Sequence, residues 1–161
     1  MIILIYAQTK EGVIGNDDRL PWNIPAEMKH FQATTLNHTV LMGSKTFVSM
    51  KNRPLKNRFN IVITRNPKKF NEIKADNLMF TSDVEAIVKK YQHTKTNNLY
   101  VIGGNEIFEL FFDYADEIIR TTVYENYPGN IKISNYDFEK FEKTNIIKED
   151  EFEIEYFKRK E

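Results

Sequence analysis

Apolar positions along this chain fall in short blocks whose period switches between strand-like and helix-like. Ile2 to Ala7 is an unbroken aliphatic and β-branched run, the pattern of a strand covered on both faces. A stretch rich in Gly, Asn and Asp, from Thr9 to Asn23, reads as a loop. Pro25 then stands where a helix can begin, and Ala26 to Leu36 carries Met28, Phe31 and Leu36 at helical spacing. Thr39 to Met42 reads as a strand, Gly43 to Met50 as a short helix, Arg53-Pro54-Leu55 as a turn and Asn60 to Thr64 as a strand.

The second half repeats the alternation. Leu78 to Thr81 is a brief strand, and Ser82-Asp83-Val84-Glu85 has the form of a capping box opening a helix to Tyr91. Leu99 to Ile102 is another buried strand, stopped by Gly103-Gly104 and followed by a helix from Glu106 to about Phe112. Beyond that the helical period ceases. Glu117 to Tyr124, Glu142 to Lys148 and Phe152 to Lys158 read as strands, the last two joined by a tight hairpin at Glu149-Asp150. Strands alternating with helices predict an α/β fold with a mainly parallel sheet, and the closing hairpin adds an antiparallel edge.

Composition narrows the class. At 161 residues, with no linker, repeat or low-complexity tract, the chain is expected to form one domain over 1–161. Lys plus Arg equals Asp plus Glu at 23 each, so neither nucleic acid nor an anionic membrane surface is indicated as a partner. There is no cysteine, which excludes disulfides, thiolate metal sites and a cysteine nucleophile. The apolar opening lacks a basic n-region and is too short to span a bilayer, so a cytoplasmic location is the default. No stripe suited to dimerisation stands out, and a monomer without an obligate protein partner is expected.

Candidate chemistry lies in two places. Glu27 falls in the first turn of the first helix, where a carboxylate complements the helix dipole, and by itself it reads as a surface residue. However, at about 100° per residue it shares a sector with Met28 and Phe31, which would desolvate it and raise its pKa. Trp22, if buried, needs a partner for its indole N–H, and a bridging water is one candidate. The second place is a set of strand ends. Gly103-Gly104-Asn105-Glu106 runs from a strand into a helix, Gly43-Ser44-Lys45-Thr46 does the same with a cation at its start, and Thr64-Arg65 follows a third strand. Each alone is weak, since Gly-Gly is often only a turn. Together they put anion-binding groups at the carboxyl ends of sheet strands, where dinucleotides bind.

These blocks bring a family into view. Val13-Ile14-Gly15 and Leu20-Pro21-Trp22-Asn23-Ile24-Pro25-Ala26-Glu27 resemble the dihydrofolate reductase signature. They are followed in order by Val40-Leu41-Met42-Gly43-Ser44-Lys45-Thr46-Phe47, Arg53-Pro54-Leu55-Lys56-Asn57-Arg58 and Val101-Ile102-Gly103-Gly104. The resemblance implies a mainly parallel eight-stranded sheet with an antiparallel C-terminal hairpin and helices on both faces. It implies reduction of dihydrofolate to tetrahydrofolate with a hydride from NADPH, and no metal. Glu27 would hold the pterin through its N3–H and 2-amino groups, with Trp22 and Thr121 completing the catalytic set. Ile5, Met28, Phe31, Met50, Leu55 and Ile102 would wall the substrate, and Arg58 would pair with its glutamate α-carboxylate. Ala7 and Ile14 would face the nicotinamide, and Gly103, Gly104, Asn105 and Thr46 the pyrophosphate. Ser44, Lys45 and Arg65 would surround the 2′-phosphate. Gly15, Leu20, Gly43, Thr64, Ile102, Glu106, Ile107 and Phe108 complete the implied cofactor contacts.

Four features depart from the family pattern. Ser44 stands where a basic residue is frequent, Phe108 where a tyrosine is common, and Tyr6 where a small residue is usual. The stretch from Tyr124 to Tyr136 matches poorly, leaving open what holds the loop from Gly12 to Asp18. Two other readings are the related reductase of riboflavin synthesis, which shares the fold and NADPH, and a folate-binding protein without catalysis. Trp22, Glu27 and Arg58 at their spacing favour dihydrofolate reduction over the first, and Glu27, Thr121 and the two phosphate-binding junctions favour it over the second.

Overall fold

The computed structural model describes residues 1–17 and 19–161; Asp18, at the end of the Gly12–Asp18 loop, lies outside the described residues. In chain order the elements are β1 (Ile2–Thr9), β2 (Val13–Gly15), α1 (Pro25–Thr35), β3 (Thr39–Gly43), α2 (Ser44–Ser49), β4 (Phe59–Ile63) and β5 (Leu78–Thr81). There follow α3 (Val84–Tyr91), β6 (Leu99–Gly103), α4 (Asn105–Phe111), β7 (Glu117–Val123), β8 (Ile131–Lys132), β9 (Phe141–Lys148) and β10 (Phe152–Arg159). One eight-stranded sheet runs in the order β5-β4-β3-β6-β1-β7-β10-β9. Its pairings are parallel except for β10, which is antiparallel to both β7 and β9. This is the α/β architecture expected from the alternation of periods.

The continuous apolar run of β1 is explained by its central place and by helices on both sheet faces. Ile2, Leu4 and Tyr6 point to one face, where Ile87 and Tyr91 of α3 and Phe108 and Phe111 of α4 cover them. Ile3, Ile5 and Ala7 point to the other, with Phe31 of α1 and Phe47 of α2. Alternation along a strand therefore sorts every neighbour of β1 onto one face or the other. β9, at the sheet edge, is exposed after Phe141; its Glu142, Lys143, Thr144 and Asn145 suit an uncovered position, and Ile146 and Ile147 are exposed with them.

Several local expectations change. The region read as one loop contains β2, which pairs antiparallel with β8 in a separate two-stranded sheet. The cap of α3 is Asp83 rather than Ser82: its carboxylate accepts from the Ala86 N–H at 3.0 Å, and no reciprocal box forms. α4 begins at Asn105 and continues as a tighter turn over Phe112–Tyr114, while a further such turn, Pro67–Phe70, had no predicted counterpart. The final hairpin turns over three residues, Glu149 to Glu151, and is closed by Glu149 N–H donating to Phe152 O at 2.8 Å.

Candidate active site

Pro25 and the extended Ile24 set the start of α1, and the first-turn N–H groups of Glu27 and Met28 donate to Ile24 O at 3.1 Å. This places the Glu27 side chain inward, 7% exposed, rather than on the surface. Trp22, 5% exposed, donates its indole Nε1–H to Glu27 Oε2 at 3.4 Å. The partner that the indole N–H needs is thus Glu27 itself, through a direct, long bond. Burial pushes the Glu27 carboxyl above its ordinary pKa, and the Trp22 hydrogen bond offsets part of that rise. Both residues line a pocket of about 290 Å3 with Leu20, Asn23, Ile24, Pro25 and Met28. Met28, 44% exposed, borders solvent rather than the core.

The remaining substrate candidates gather on the same sheet face. Ile5 is buried, and Ala7, Phe31, Met50, Leu55 and Ile102 pack against the cluster that includes Ile5 and Trp22. Thr121, 2% exposed, pairs across β1 with Ala7 and across β10 with Ile154, so it shares their face. It makes no direct hydrogen bond to Glu27. Arg58 is 7% exposed, donating from Nη1 to Thr35 Oγ1 at 3.1 Å and from Nε to Lys56 O at 2.9 Å. Burial lowers its pKa, and among the described residues no carboxylate forms a salt bridge with it.

Two strand-to-helix junctions sit side by side, because Met42 at the end of β3 pairs with Gly103 at the end of β6. Gly43 caps α2 and Gly104 caps α4, leaving first-turn N–H groups at both ends without helical partners. A Cβ on Gly43 would lie 2.8 Å from Ile107 Cγ1, so only glycine lets the two junctions approach this closely. A Cβ on Gly104 would meet only Thr46 Oγ1, at 3.7 Å, which leaves a backbone cradle facing open space. Lys45 and Glu106, both highly exposed, bridge the junctions at 3.7 Å. Thr64 and exposed Arg65 follow β4, the next strand in the sheet. Asn105 turns away from the cradle: its Oδ1 accepts from Ser134 N–H at 3.0 Å. Phe108 is 2% exposed beneath Gly103 and against Tyr6, with ring centroids 5.4 Å apart.

Comparison with known proteins decides among the readings of this geometry. A family model described as dihydrofolate reductase matches residues 1–159. The chain belongs to the dihydrofolate reductase family. It is 37% identical over 145 residues to the dihydrofolate reductase of Lactococcus lactis, covering 88% of this chain and 83% of that one. The dihydrofolate reductase of Mycoplasma genitalium is 30% identical over 161 residues, covering 100% of this chain and 99% of its own length. A solved dihydrofolate reductase from Enterococcus faecalis, complexed with NADP(H) and RAB-propyl, superposes with a TM-score of 0.85. It is 28% identical and covers 100% of this chain and 97% of that one.

The stretch that matches the family poorly also finds a role. β8 pairs with β2, and Ile133 N–H donates to Gly12 O at 2.9 Å. Asn130 clasps Asp17 twice, accepting its N–H at 2.7 Å and donating Nδ2 to its Oδ1 at 2.8 Å. Gly129 is needed here, since a Cβ would collide with the Gly15 carbonyl and Val13. These residues tie the loop after β1 to the segment after β7. Pro128-Gly129 beside the alternating Ile131-Lys132-Ile133 is the signal that announces such a turn and strand.

Proposed function

We propose that this chain reduces 7,8-dihydrofolate to 5,6,7,8-tetrahydrofolate with NADPH, using Glu27 to hold the pterin. One observation carries the reading: Glu27 is a buried carboxylate at a pocket, with an indole donor beside it and the strand-end cradle on the same sheet. NADPH, when bound, supplies the hydride that adds to C6 of the substrate while a proton adds at N5.

The chain's own groups bind, orient and exclude water. Glu27 accepts from the pterin N3–H and 2-amino groups, a planar two-donor edge suited to a carboxylate. Its raised pKa lets it exchange protons nearer neutrality, and it favours protonation at N5 through water in the pocket. Trp22 keeps the carboxylate aimed, and Thr121 supports the pterin from the neighbouring strand face. Ile5, Phe31, Met50, Leu55 and Ile102 wall the substrate, with Met28 at the pocket rim. Arg58, held in orientation by Thr35 and Lys56, presents its remaining donors to the glutamate α-carboxylate. Ala7 and Ile14 face the nicotinamide, with Gly15, Leu20, Ile107 and Phe108 shaping its site. The Gly43 and Gly103-Gly104 junctions with Thr46 receive the pyrophosphate, and Ser44, Lys45, Thr64 and Arg65 lie toward the 2′-phosphate. Glu106 balances Lys45. We read the chain as one domain acting as a cytoplasmic monomer: the lack of cysteine supports the location, and the sequence shows no evident stripe for dimerisation.

The test is NADPH oxidation followed with and without dihydrofolate. Turnover that requires dihydrofolate is expected. Turnover with a ribosylated pyrimidine instead, or tight antifolate binding without turnover, would refute the assignment.

A further inference from the structure

We propose that Tyr127 is a positioning residue for this reaction, its ring fixing the Trp22 indole so that Nε1–H meets Glu27. The inference rests on the reading of Glu27 as the pterin's carboxylate.

Trp22 lies in irregular chain ahead of α1, outside any helix or strand ladder, so packing rather than secondary structure sets its ring. The bond it donates is 3.4 Å long, close to the limit of a useful hydrogen bond, and a small rotation of the indole would break it. Tyr127 packs on that indole with centroids 5.9 Å apart and planes tilted by 56°, a favourable aromatic geometry. Tyr127 itself is half-buried against the cluster that includes Ile5, Trp22 and Ile154. A hydrogen bond to Glu125 pushes its phenol pKa up, while the ring itself makes the contact with Trp22.

The segment bearing Tyr127 is pinned on both sides. Asn126 Nδ2 donates to Glu11 Oε1 at 3.1 Å, and Asn130 clasps Asp17. A ring held between two tethers has little freedom to swing, so it can act as a fixed stop for the indole. The segment after β7 thereby reaches the pterin carboxylate through one aromatic contact, in addition to its pairing with the loop after β1.

Trp22 is the single tryptophan, so its emission reports this contact without reference to activity. In the ligand-free full chain, Tyr127→Ala is expected to red-shift the emission and increase its quenching by acrylamide. The KM for dihydrofolate should rise by roughly twofold to tenfold, the range of one lost aromatic pair, with the KM for NADPH unchanged. The pH profile of turnover should also shift as Glu27 loses its donor. Tyr127→Phe keeps the ring and is expected to restore emission, pH profile and KM. If Tyr127→Ala does not fold, Tyr127→Leu retains bulk without an aromatic face and should show the same changes to a smaller degree. A folded Ala or Leu variant with wild-type emission would overturn the proposal. So would a shifted emission with an unchanged pH profile and KM, which would leave Tyr127 structural. Absence of dihydrofolate-dependent turnover in the wild type would instead remove the reading of Glu27, and the emission arm would still report the Tyr127–Trp22 contact.

Discussion

Replacing Glu27 with Gln should make the ligand-free protein more stable at neutral pH even as it disables the reaction. The folded state raises the Glu27 pKa because burial disfavours the anion. Below the ordinary glutamate pKa of about 4.3 the carboxyl is neutral in both folded and unfolded chains and costs nothing extra. As pH rises through the higher folded value, the unfolded chain ionises freely while the folded one must hold a buried charge, so stability is lost. Gln resembles the neutral form and does not titrate. A buried polar group left short of partners costs about 1–3 kcal/mol, and more when it is charged; Gln removes that excess, less the part the Trp22 bond already recovers. A net gain of about 1–2 kcal/mol is expected, or roughly 2–8 °C in Tm for a chain of this size. Thermal unfolding of both proteins across a pH series, without ligand, measures it. The Tm difference should be near zero in acid and open in favour of Gln toward neutrality. A wild type that is the more stable at neutral pH, or a difference independent of pH, would refute the reasoning.

Further outcomes test other parts of the site. Arg58→Lys removes a planar fork held by Thr35 and Lys56, and the KM for dihydrofolate should rise about tenfold, the scale of one charge-assisted hydrogen bond. A substrate lacking the glutamate tail should lose little, and equal losses for both substrates would count against the role. Arg65→Gln should weaken NADPH use and leave NADH use unchanged, as steady-state KM values for the two cofactors would show. Asn130→Ala deletes both bonds to Asp17 on an exposed surface. Its stability should fall by only about 0.5–1.5 kcal/mol, while NADPH affinity, read by fluorescence titration, drops as the loop after β1 is released.

What the sequence made legible follows from how strongly each residue's surroundings constrain it. β1 announced itself because a central strand needs apolar residues on both faces, and the order of helices and strands fixed the parallel sheet. The Glu27 face was visible as a carboxylate sharing helical phase with Phe31, although dipole compensation explained it equally well until its burial was seen. The Gly43 and Gly103-Gly104 junctions were visible as strand-stopping glycines, but their adjacency depends on the β3–β6 pairing, which no local pattern encodes. β2 and β8 were missed because strands of three and two residues have too few positions to show a period. Asp83 in place of Ser82 at the α3 cap is a one-residue choice between two good capping side chains. The Tyr127–Trp22 contact joins residues on either side of the sheet-forming chain, and only the tertiary fold brings them together.

Glu27 is proposed to orient dihydrofolate for reduction by NADPH. This role is tested most directly by single-turnover reduction of dihydrofolate with saturating NADPH, comparing the wild type with Glu27→Gln. The variant is expected to lose rate severely near neutral pH while binding NADPH as tightly as before. Undiminished reduction by Glu27→Gln would contradict this role.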